Sequence, residues 1–315
     1  MKCLCCNKEI DKATEYERQT RWHEKCVNKF FGTRVIPEIN LSNKELERLA
    51  DKTVKKGLTV PGVQKKLSLH LQEDTSGPRF TLVDYPTGYI LKPQSNEYKN
   101  LPEAEFLIMK LAELVRIATV PNALIKIDNS YAYITKRIDR QNGKIYAMED
   151  FCQLTGRITY DKYKGSYEQC GKVIDRFSKN IGLDKSELFK RLVFCFITGN
   201  SDMHLKNFSL IENSPAGRIF GLSPAYDLLP VNIILPEDKD QMALTLNGKN
   251  RNIKAKDFWT LAENYGIAKN TAIKITNDLI KQKDRMVDEV RHSLLSEAMK
   301  DSLIELIKNR LAVFS

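Results

Sequence analysis

Hydrophobic residues recur along the chain with two different periods, and the change of period separates a strand-forming part from a helix-forming part. Leu67, Leu69 and Leu71 stand at every second position, which predicts a strand with one buried face. From Pro102 the apolar residues recur at helical spacing instead, at positions 104, 107, 108, 111, 114 and 115. Helical spacing predominates from Ser166 onward. The pattern predicts strands mainly in the first half of the chain and helices mainly in the second.

Two pairs of short apolar runs are joined by turn-forming residues, which predicts two β-hairpins. The pairs and their turns are residues 124–127 and 131–137 around 128–130, and residues 208–211 and 219–222 around 213–217.

Two helix starts are predicted from the spacing of a capping box, in which a short polar residue is followed three positions later by glutamate. Ser42 with Glu45 marks one start, and Asp184 with Glu187 marks the other. We expect the second of these helices to lead into the polar segment that begins at Gly199.

The stretch with the most specific chemistry is GNSDMHLKN at residues 199–207, directly after an apolar run at residues 192–197. A helix that packs this run in a core and turns sharply at Gly199 would bring the following polar side chains into one small volume. These side chains are Asp202, His204, Lys206 and Asn207. Four residues separate Asp202 from Asn207, which is the spacing between the base and the metal-binding amide of a kinase catalytic loop.

A second carboxylate, Asp227, follows Asn207 by twenty positions, after the second predicted hairpin. In phosphoryl transfer one carboxylate orients the attacking hydroxyl, while an amide and another carboxylate hold Mg²⁺ against the phosphates of ATP. The order predicts Asp202 as the catalytic base and Asn207 and Asp227 as magnesium ligands. His204 and Lys206 are predicted to support this catalytic loop.

A lysine and a glutamate have the positions of a nucleotide-binding ion pair. Lys92 ends the short apolar run at residues 89–92, and Glu105 lies among apolar neighbours on the helix that Pro102 opens. An acid in such a place needs a cation, and a strand lysine paired with a helix glutamate holds the nucleotide phosphates in kinases. We therefore expect Lys92 and Glu105 to pair and to bind ATP. The alternative is a surface lysine and a glutamate at a helix edge.

The N-terminus carries two pairs of potential metal ligands. Cys3 and Cys6 are separated by two residues, as are His23 and Cys26, and this is the pair spacing of a tetrahedral Zn²⁺ site. Cys5 is a further thiol beside the first pair. The alternative is that these are ordinary reduced cysteines and a surface histidine.

Composition restricts the class of protein. The chain has 315 residues, which is long enough for two domains or one large two-lobed domain, and its 42% of hydrophobic residues can form a sizeable core. It shows neither an apolar run long enough to span a membrane nor a signal peptide, and its seven cysteines are an odd number. We therefore expect a cytoplasmic protein with no membrane association. The net charge of +10 favours a negatively charged partner such as a nucleotide, nucleic acid or acidic protein.

Several segments, in a shared order, resemble the HipA family of bacterial serine/threonine kinases, the toxins of toxin–antitoxin pairs. The most specific are GNSDMHLKN, SPAYDLLP and MEDFCQ, and TVPGVQKKLSL and YILKP match more weakly. The resemblance extends from Thr59 towards the C-terminus. It implies an α+β, two-lobed protein-kinase-like fold with a β-rich N-lobe and a mostly helical C-lobe. About 58 residues precede Thr59, so the chain looks closest to the short form, HipT.

The resemblance also implies roles for individual residues. The segment around residues 57–66 is similar to the family's phosphate loop, so Val63 and Gln64 are expected to bind ATP and Thr59 to be autophosphorylated. The family more often has serine at the position of Thr59. Glu149 and Phe151 match the hinge segment, in which backbone groups meet adenine.

Three domains follow from these assignments: residues 1–36 as a small Cys/His segment, 37–150 as the N-lobe and 151–315 as the C-lobe. As partners the resemblance implies a protein substrate of the aminoacyl-tRNA synthetase class, a HipB-like DNA-binding antitoxin and a HipS-like small protein. DNA would be contacted only indirectly, through the antitoxin.

Two other functions remain open. Small-molecule and lipid phosphotransferases use a similar D-x-H-x-x-N loop followed by a magnesium-binding aspartate, which Asp202 and His204 also fit. Alternatively, residues 258–268 resemble the start of a helix-turn-helix, so the chain could be a nucleic-acid-binding module with a zinc knuckle. That interpretation leaves the clustering of Asp202, Asn207 and Asp227 unexplained.

Overall fold

The structure, a computed structural model, describes residues 1–55, 66–75, 77–83, 87–141 and 143–314. Thr59, Val63 and Gln64 of the predicted phosphate loop lie outside the described residues. Internal contacts divide the chain into two units, one made of Met1–Phe106 and Val120–Gln141, the other of Leu107–Thr119 and Asn142–Ser315.

The first unit is rich in strands. Its helices are α1 (Glu15–Thr20), α2 (Glu24–Phe31), α3 (Asn43–Lys55) and the beginning of α4 (Leu101–Leu114). Its strands are β1 (Leu67–Asp74), β2 (Gly77–Val83), β3 (Tyr89–Lys92), β4 (Asn122–Ile127), β5 (Ser130–Lys136) and β6 (Arg140–Gln141).

Five of these strands form one antiparallel sheet in the order β2-β1-β3-β5-β4. Leu67 and Leu69 are buried, as the period-two pattern predicts. The predicted hairpin around residues 128–130 is confirmed, with Ile127 paired to Ser130. The predicted capping box also forms, because Ser42 N–H donates to Glu45 and Glu45 N–H donates to Ser42 Oγ.

An aromatic cluster holds α2 on this sheet. The ring of Trp22 stacks on Phe31 with centroids 5.3 Å apart, and Phe31 contacts Phe80 of β2 at 5.8 Å and Tyr89 of β3 at 6.0 Å. Aromatic contacts of this kind contribute both buried apolar area and a preferred ring geometry. Trp22 and Phe31 are therefore part of the core of the first unit.

The second unit is mainly helical. Its strands are β7 (Lys144–Ile145), β8 (Met148–Asp150), β9 (Ser209–Glu212) and β10 (Phe220–Leu222). Its helices are α5 (Phe151–Leu154), α6 (Tyr167–Phe177), α7 (Ile181–Thr198), α8 (Val231–Ile234), α9 (Ala255–Asn264), α10 (Lys269–Ile280), α11 (Lys283–Arg291) and α12 (Glu297–Leu311), with short 3₁₀ turns at Thr159–Asp161, Leu205–Asn207 and Ala312–Phe314. The part of the chain that the structure describes contains no helix with the length and apolarity needed to cross a membrane.

Helix α7 lies at the centre of this unit, with the whole apolar run at residues 192–197 buried. Phe196 packs edge-on against Phe258 of α9 at 5.3 Å. The residues that resemble a helix-turn-helix therefore include a packing surface on the helical core.

Strands β9 and β10 confirm the second predicted hairpin, with Ile211 paired to Gly221. The predicted helix cap at Asp184 is wrong, because α7 begins at Ile181 and Asp184 lies inside its first turns. The Asp184 carboxylate instead accepts hydrogen bonds from Leu222 N–H at 2.8 Å and from Ser178 Oγ at 2.5 Å. Asp184 thus ties the end of β10 to α7.

Candidate active site

The catalytic-loop segment begins where α7 ends, at Gly199. This glycine adopts a left-handed conformation (φ 71°, ψ 32°), and its N–H caps the last carbonyls of the helix. A Cβ atom here would meet Leu306 at 3.1 Å and the side chain of Asn232 at 3.4 Å. Both the backbone conformation and the close packing favour glycine, so the sharp turn expected from the sequence is present.

Hydrogen bonds within the loop fix the positions of Asp202 and Asn207. Asn200 is fully buried, and its side-chain oxygen accepts the N–H of Asp202 at 3.2 Å. The amide nitrogen of Asn207 donates to the carbonyl of Asp202 at 2.8 Å. Because the NH₂ group of Asn207 is used in this way, its amide oxygen is the atom suited to bind a cation.

Asp202 occupies a largely buried, negatively charged environment. Burial raises the pKa of its carboxyl group to about 6, and the charge of Asp227 acts in the same direction. A hydrogen bond from the phenol of Tyr163, 2.6 Å from Asp202 Oδ1, lowers the pKa and partly offsets these effects. Asp202 is therefore ionised at neutral pH but more basic than an ordinary aspartate.

Asp227 is held beside the loop by its neighbours in sequence. Tyr226 Oη donates to the carbonyl of Lys206 at 3.0 Å and lies 2.6 Å from Ser209 Oγ. Upstream, the buried Arg191 donates to the carbonyl of Ser223 at 3.0 Å. These bonds fix both ends of the short segment that leads to Asp227.

The backbone of Asp227 itself is in the left-handed region, with φ of 60°. A residue other than glycine is held in this region at a cost of order 1 kcal/mol, and such residues cluster at functional sites. The left-handed backbone of Asp227 and its electrostatic repulsion of Asp202 both raise the free energy of this part of the fold.

His204 is buried and uncharged. Burial lowers its pKa to about 4, and its ring lies edge-on to Tyr163 at 5.0 Å. Its Nδ1 atom is buried and has no hydrogen-bond partner within the described part of the chain. His204 is therefore a neutral ring at physiological pH.

Lys206 forms a salt bridge to Asp150 at 2.6 Å, with both side chains largely shielded from solvent. Asp150 in turn caps the short helix α5 through Gln153 N–H. Lys206 thus joins the catalytic loop to the segment that contains Glu149 and Phe151.

Glu149 lies on β8, paired with Leu210 of β9, and its side chain is exposed. The ring of Phe151 is fully buried and packs against Phe208 at 5.6 Å. The Phe151 N–H already donates to the carbonyl of Phe208 at 2.9 Å. A contact between that N–H and adenine would require this bond to break.

The first unit contains the predicted lysine–glutamate pair. Lys92 Nζ lies 2.6 Å from Glu105 Oε1, and the side chains are 8% and 0% exposed. Lys92 Nζ is also 5.4 Å from the centre of the Tyr133 ring, a favourable cation–π distance. Lys92 is therefore held by two partners within the first unit, on β3 next to β5.

The four predicted zinc ligands also converge. The ligand atoms of Cys3, Cys6, His23 and Cys26 all lie within 4.8 Å of one another.

Sequence reasoning did not identify Tyr163, Tyr226 or Arg191 as parts of the candidate site. Tyr163 is 39 positions from Asp202, and its only sequence signal is a group of aromatic and charged residues at 160–164. Tyr226 stands next to Asp227, but its contacts depend on the fold. Arg191 gave the clearest sequence signal of the three, because a cation among the apolar residues of α7 needs hydrogen-bond partners when it is buried.

Comparison with known proteins supports the resemblance to the HipA family. Residues 58–287 match the family model of the HipA-like C-terminal domain. A kinase-named protein of Haemophilus influenzae is 26% identical over 91% of this chain and 89% of its own length. The kinase-named Y4dM of Sinorhizobium fredii is 35% identical over 60% of this chain, which spans 48% of that protein. The serine/threonine-protein kinase toxin HipA of Shewanella oneidensis is 23% identical over 81% of this chain and 65% of that toxin.

Two solved kinase structures share the fold of this chain. HipA of Shewanella oneidensis, from a complex with HipB and operator DNA, superposes with a TM-score of 0.67 at 19% identity, covering 84% of this chain and 70% of that one. The Helicobacter pylori kinase CtkA superposes with a TM-score of 0.55 at 16% identity, covering 75% of this chain and 87% of that one. The predicted α+β, protein-kinase-like fold is confirmed. Because the model of the HipA-like C-terminal domain matches residues 58–287, this chain belongs to the HipA family.

Proposed function

We propose that this protein transfers the γ-phosphate of ATP to a serine or threonine hydroxyl of a protein substrate. The observation that carries the proposal is the grouping of Asp202, Asn207 and Asp227 around one fixed loop, with a raised pKa at Asp202. The buried Lys92–Glu105 pair supplies a second element of kinase chemistry.

Asp202 is proposed to orient the acceptor hydroxyl and to accept its proton as the oxygen bonds to phosphorus. A carboxylate with a pKa near 6 is ionised at neutral pH and is a better proton acceptor than an unshifted aspartate. Lys92 is proposed to contact phosphate oxygens, with Glu105 and Tyr133 fixing the direction of its ammonium group.

Magnesium is proposed to be held by the amide oxygen of Asn207 and the carboxylate of Asp227. Oxygen donors of this kind suit Mg²⁺, and the repulsion between Asp227 and Asp202 indicates a place where a divalent cation would be stabilised. When bound with ATP, magnesium would neutralise the charge of the phosphates.

The test of catalysis is protein labelling by radiolabelled ATP, using the wild type and an Asp202→Asn variant in the same lysate. We expect labelling of protein by the wild type only, while both forms bind nucleotide with similar affinity. Retained labelling by Asp202→Asn would contradict the role of Asp202. Label found only in small molecules or lipids would identify the alternative phosphotransferase activity.

The test of the metal ligands is titration of ATP with and without Mg²⁺. Asp227→Ala should lose the increase in affinity that magnesium produces, whereas Asp301→Ala, an exposed aspartate on α12, should keep it. Equal magnesium dependence in Asp227→Ala and the wild type would refute the assignment.

Thr59 is proposed to be autophosphorylated, on the resemblance of its segment to the family's phosphate loop. A phosphate adds about −1.5 to −2 charges at neutral pH and would repel ATP from that loop. Mass spectrometry should find phosphate on Thr59 in the wild type and none in Asp202→Asn. An active wild type with unmodified Thr59 would end this proposal.

As partners we infer a HipB-like antitoxin and, for a chain acting as the short HipT form, a HipS-like small protein. Support comes from the Shewanella oneidensis structure, in which HipA is in complex with HipB and operator DNA. The proposed substrate class is an aminoacyl-tRNA synthetase. Phosphoproteomics of cells expressing wild type or Asp202→Asn should show one dominant phosphosite on such an enzyme, and a dominant site elsewhere would reject this class.

A further inference from the structure

Four side chains outside the candidate active site have the spacing of a tetrahedral metal site. They are Cys3, Cys6, His23 and Cys26. With bonds of about 2.3 Å to sulfur and 2.0–2.1 Å to nitrogen, the ligands of tetrahedral zinc are separated by about 3.5–3.8 Å. His23 Nδ1 lies 3.4 Å from Cys6 Sγ and 3.8 Å from Cys26 Sγ. All four cysteine and histidine ligand atoms fall within 4.8 Å of one another.

The histidine is oriented for coordination through Nδ1. Its other ring nitrogen, Nε2, lies 3.0 Å from the carbonyl oxygen of Glu9. A carbonyl can only accept, so Nε2 carries the proton and Nδ1 keeps its lone pair for a metal. Hydrogen bonding of the non-coordinating nitrogen to a backbone carbonyl is the usual way in which a ligating histidine is fixed.

The backbone around these residues also has the form of a metal-binding turn. Asn7 N–H donates to the Cys3 carbonyl at 2.9 Å, which closes the turn between Cys3 and Cys6. His23 N–H points at Cys3 Sγ at 3.4 Å, a contact that stabilises a thiolate. Cys3 is 1% and Cys26 is 8% exposed, as in a closed structural site with four protein ligands.

The cluster lies directly against β4, one of the two edge strands of the five-stranded sheet. Leu124 N–H of β4 donates to the carbonyl of Leu4 at 2.8 Å, and the carbonyl of Leu124 accepts from Trp22 Nε1 at 3.0 Å. Leu4 follows Cys3, and Trp22 precedes His23. Both of these partners of Leu124 are thus adjacent in sequence to a member of the cluster.

We propose that Cys3, Cys6, His23 and Cys26 bind one structural zinc ion, and that this ion fastens the N-terminal segment to the outer edge of β4. An uncovered edge strand leaves backbone groups unpaired. The three thiolates and one imidazole hold the ion through four protein ligands, so the site is structural. Loss of zinc would weaken the two hydrogen bonds that Leu4 and Trp22 form with the backbone of Leu124.

The first experiment measures metal content of the full chain purified under reducing conditions without chelator. We expect about one zinc per chain in the wild type and in Cys5→Ser, whose thiol lies outside the four-residue cluster. Cys26→Ser and His23→Ala should lose it. Replacement of zinc by Co²⁺ in the wild type should give the intense visible absorption of a tetrahedral thiolate site.

The second experiment uses wild-type protein throughout, so it does not depend on a variant that folds. Hydrogen exchange is compared before chelation, after chelation and after zinc is added back. Exchange at the Leu124 amide should rise by about tenfold or more on chelation and return with zinc, because a freed edge opens locally. Exchange in β9 and β10 should not change.

Absence of zinc in protein supplied with it under reducing conditions would overturn the proposal. Zinc retained by both Cys26→Ser and His23→Ala would also overturn it. An unchanged Leu124 amide after complete removal of the ion would refute the fastening role.

Discussion

The phenol of Tyr163 donates a hydrogen bond of 2.6 Å to Oδ1 of Asp202, the carboxylate proposed as the catalytic base. Burial and the nearby negative charges raise the pKa of Tyr163, so this group stays protonated and acts as the donor. One oxygen of Asp202 is therefore fixed in direction, and the bond stabilises the ionised carboxylate.

Removal of this bond should shift the pH dependence of catalysis. The bond lowers the pKa of Asp202, so Tyr163→Phe should raise that pKa above its present value of about 6. The acidic limb of the rate–pH profile should therefore move to higher pH, with a smaller effect in the alkaline range. The control is Tyr160→Phe, because Tyr160 is 84% exposed. Identical acidic limbs in wild type and Tyr163→Phe would show that the bond does not tune the base.

Asp202 should reduce stability at neutral pH in the metal-free protein. The pKa of Asp202 is about 6 in the folded protein, above the ordinary value of 3.8. The protonated carboxyl group therefore adds to the free energy of unfolding at pH below 3.8, and this contribution is lost as the pH rises through 6. Asp202→Asn should therefore be more stable than the wild type at pH near 7.5, on the order of 1–3 kcal/mol. Urea unfolding in the presence of a chelator measures this difference. A difference that does not shrink towards pH 4 would assign the effect to something other than the charge.

The Lys92–Glu105 pair should contribute separately to nucleotide binding and to stability. Lys92→Met should weaken ATP binding by about 1.5–3 kcal/mol, or roughly 10- to 150-fold, through a lost charge-assisted contact. It should also lower the free energy of unfolding by about 3–5 kcal/mol, because Glu105 is left buried without its cation.

The double variant Lys92→Met/Glu105→Gln distinguishes the two effects. We expect it to recover much of the lost stability, because no buried charge is left, while ATP binding stays weak. Recovery of ATP binding together with stability would show that Lys92 acts only through the fold. Calorimetric titration and urea unfolding of the same samples provide both measurements.

Gly171 should be required for the packing of α6. A Cβ atom at this position would lie 2.4 Å from the ring of Tyr265, whose hydroxyl donates to the carbonyl of Tyr167 at 2.6 Å. The ring is held at both ends, so Gly171→Ala should destabilise the protein by about 1–3 kcal/mol. Gly182→Ala is the matched control, because Gly182 also lies in a helix but has no atom within 4 Å of the added methyl. Equal melting temperatures for the two variants would contradict the packing argument.

Local sequence signals determined the elements that carry the chemistry. The helix into Gly199, the hairpin before Asp227 and the order of strand lysine and helix glutamate were all predictable, because each depends on residues close together in the chain. The pairing of Lys92 with Glu105 follows from the same patterns, since a buried carboxylate requires a cation.

Tertiary structure decided which of two capping-box spacings forms a helix cap, and which distant group each polar side chain bonds to. Ser42 with Glu45 and Asp184 with Glu187 have the same spacing, yet only the first caps a helix. Helix α7 begins at Ile181, so Asp184 lies inside it, and its carboxylate accepts the N–H of Leu222 38 positions away. In the same way, Tyr163 reaches Asp202 across 39 positions and Lys206 reaches Asp150 across 56. A polar side chain bonds to whichever group the fold leaves in need of a partner, and spacing along the chain cannot reveal a partner that only folding brings near.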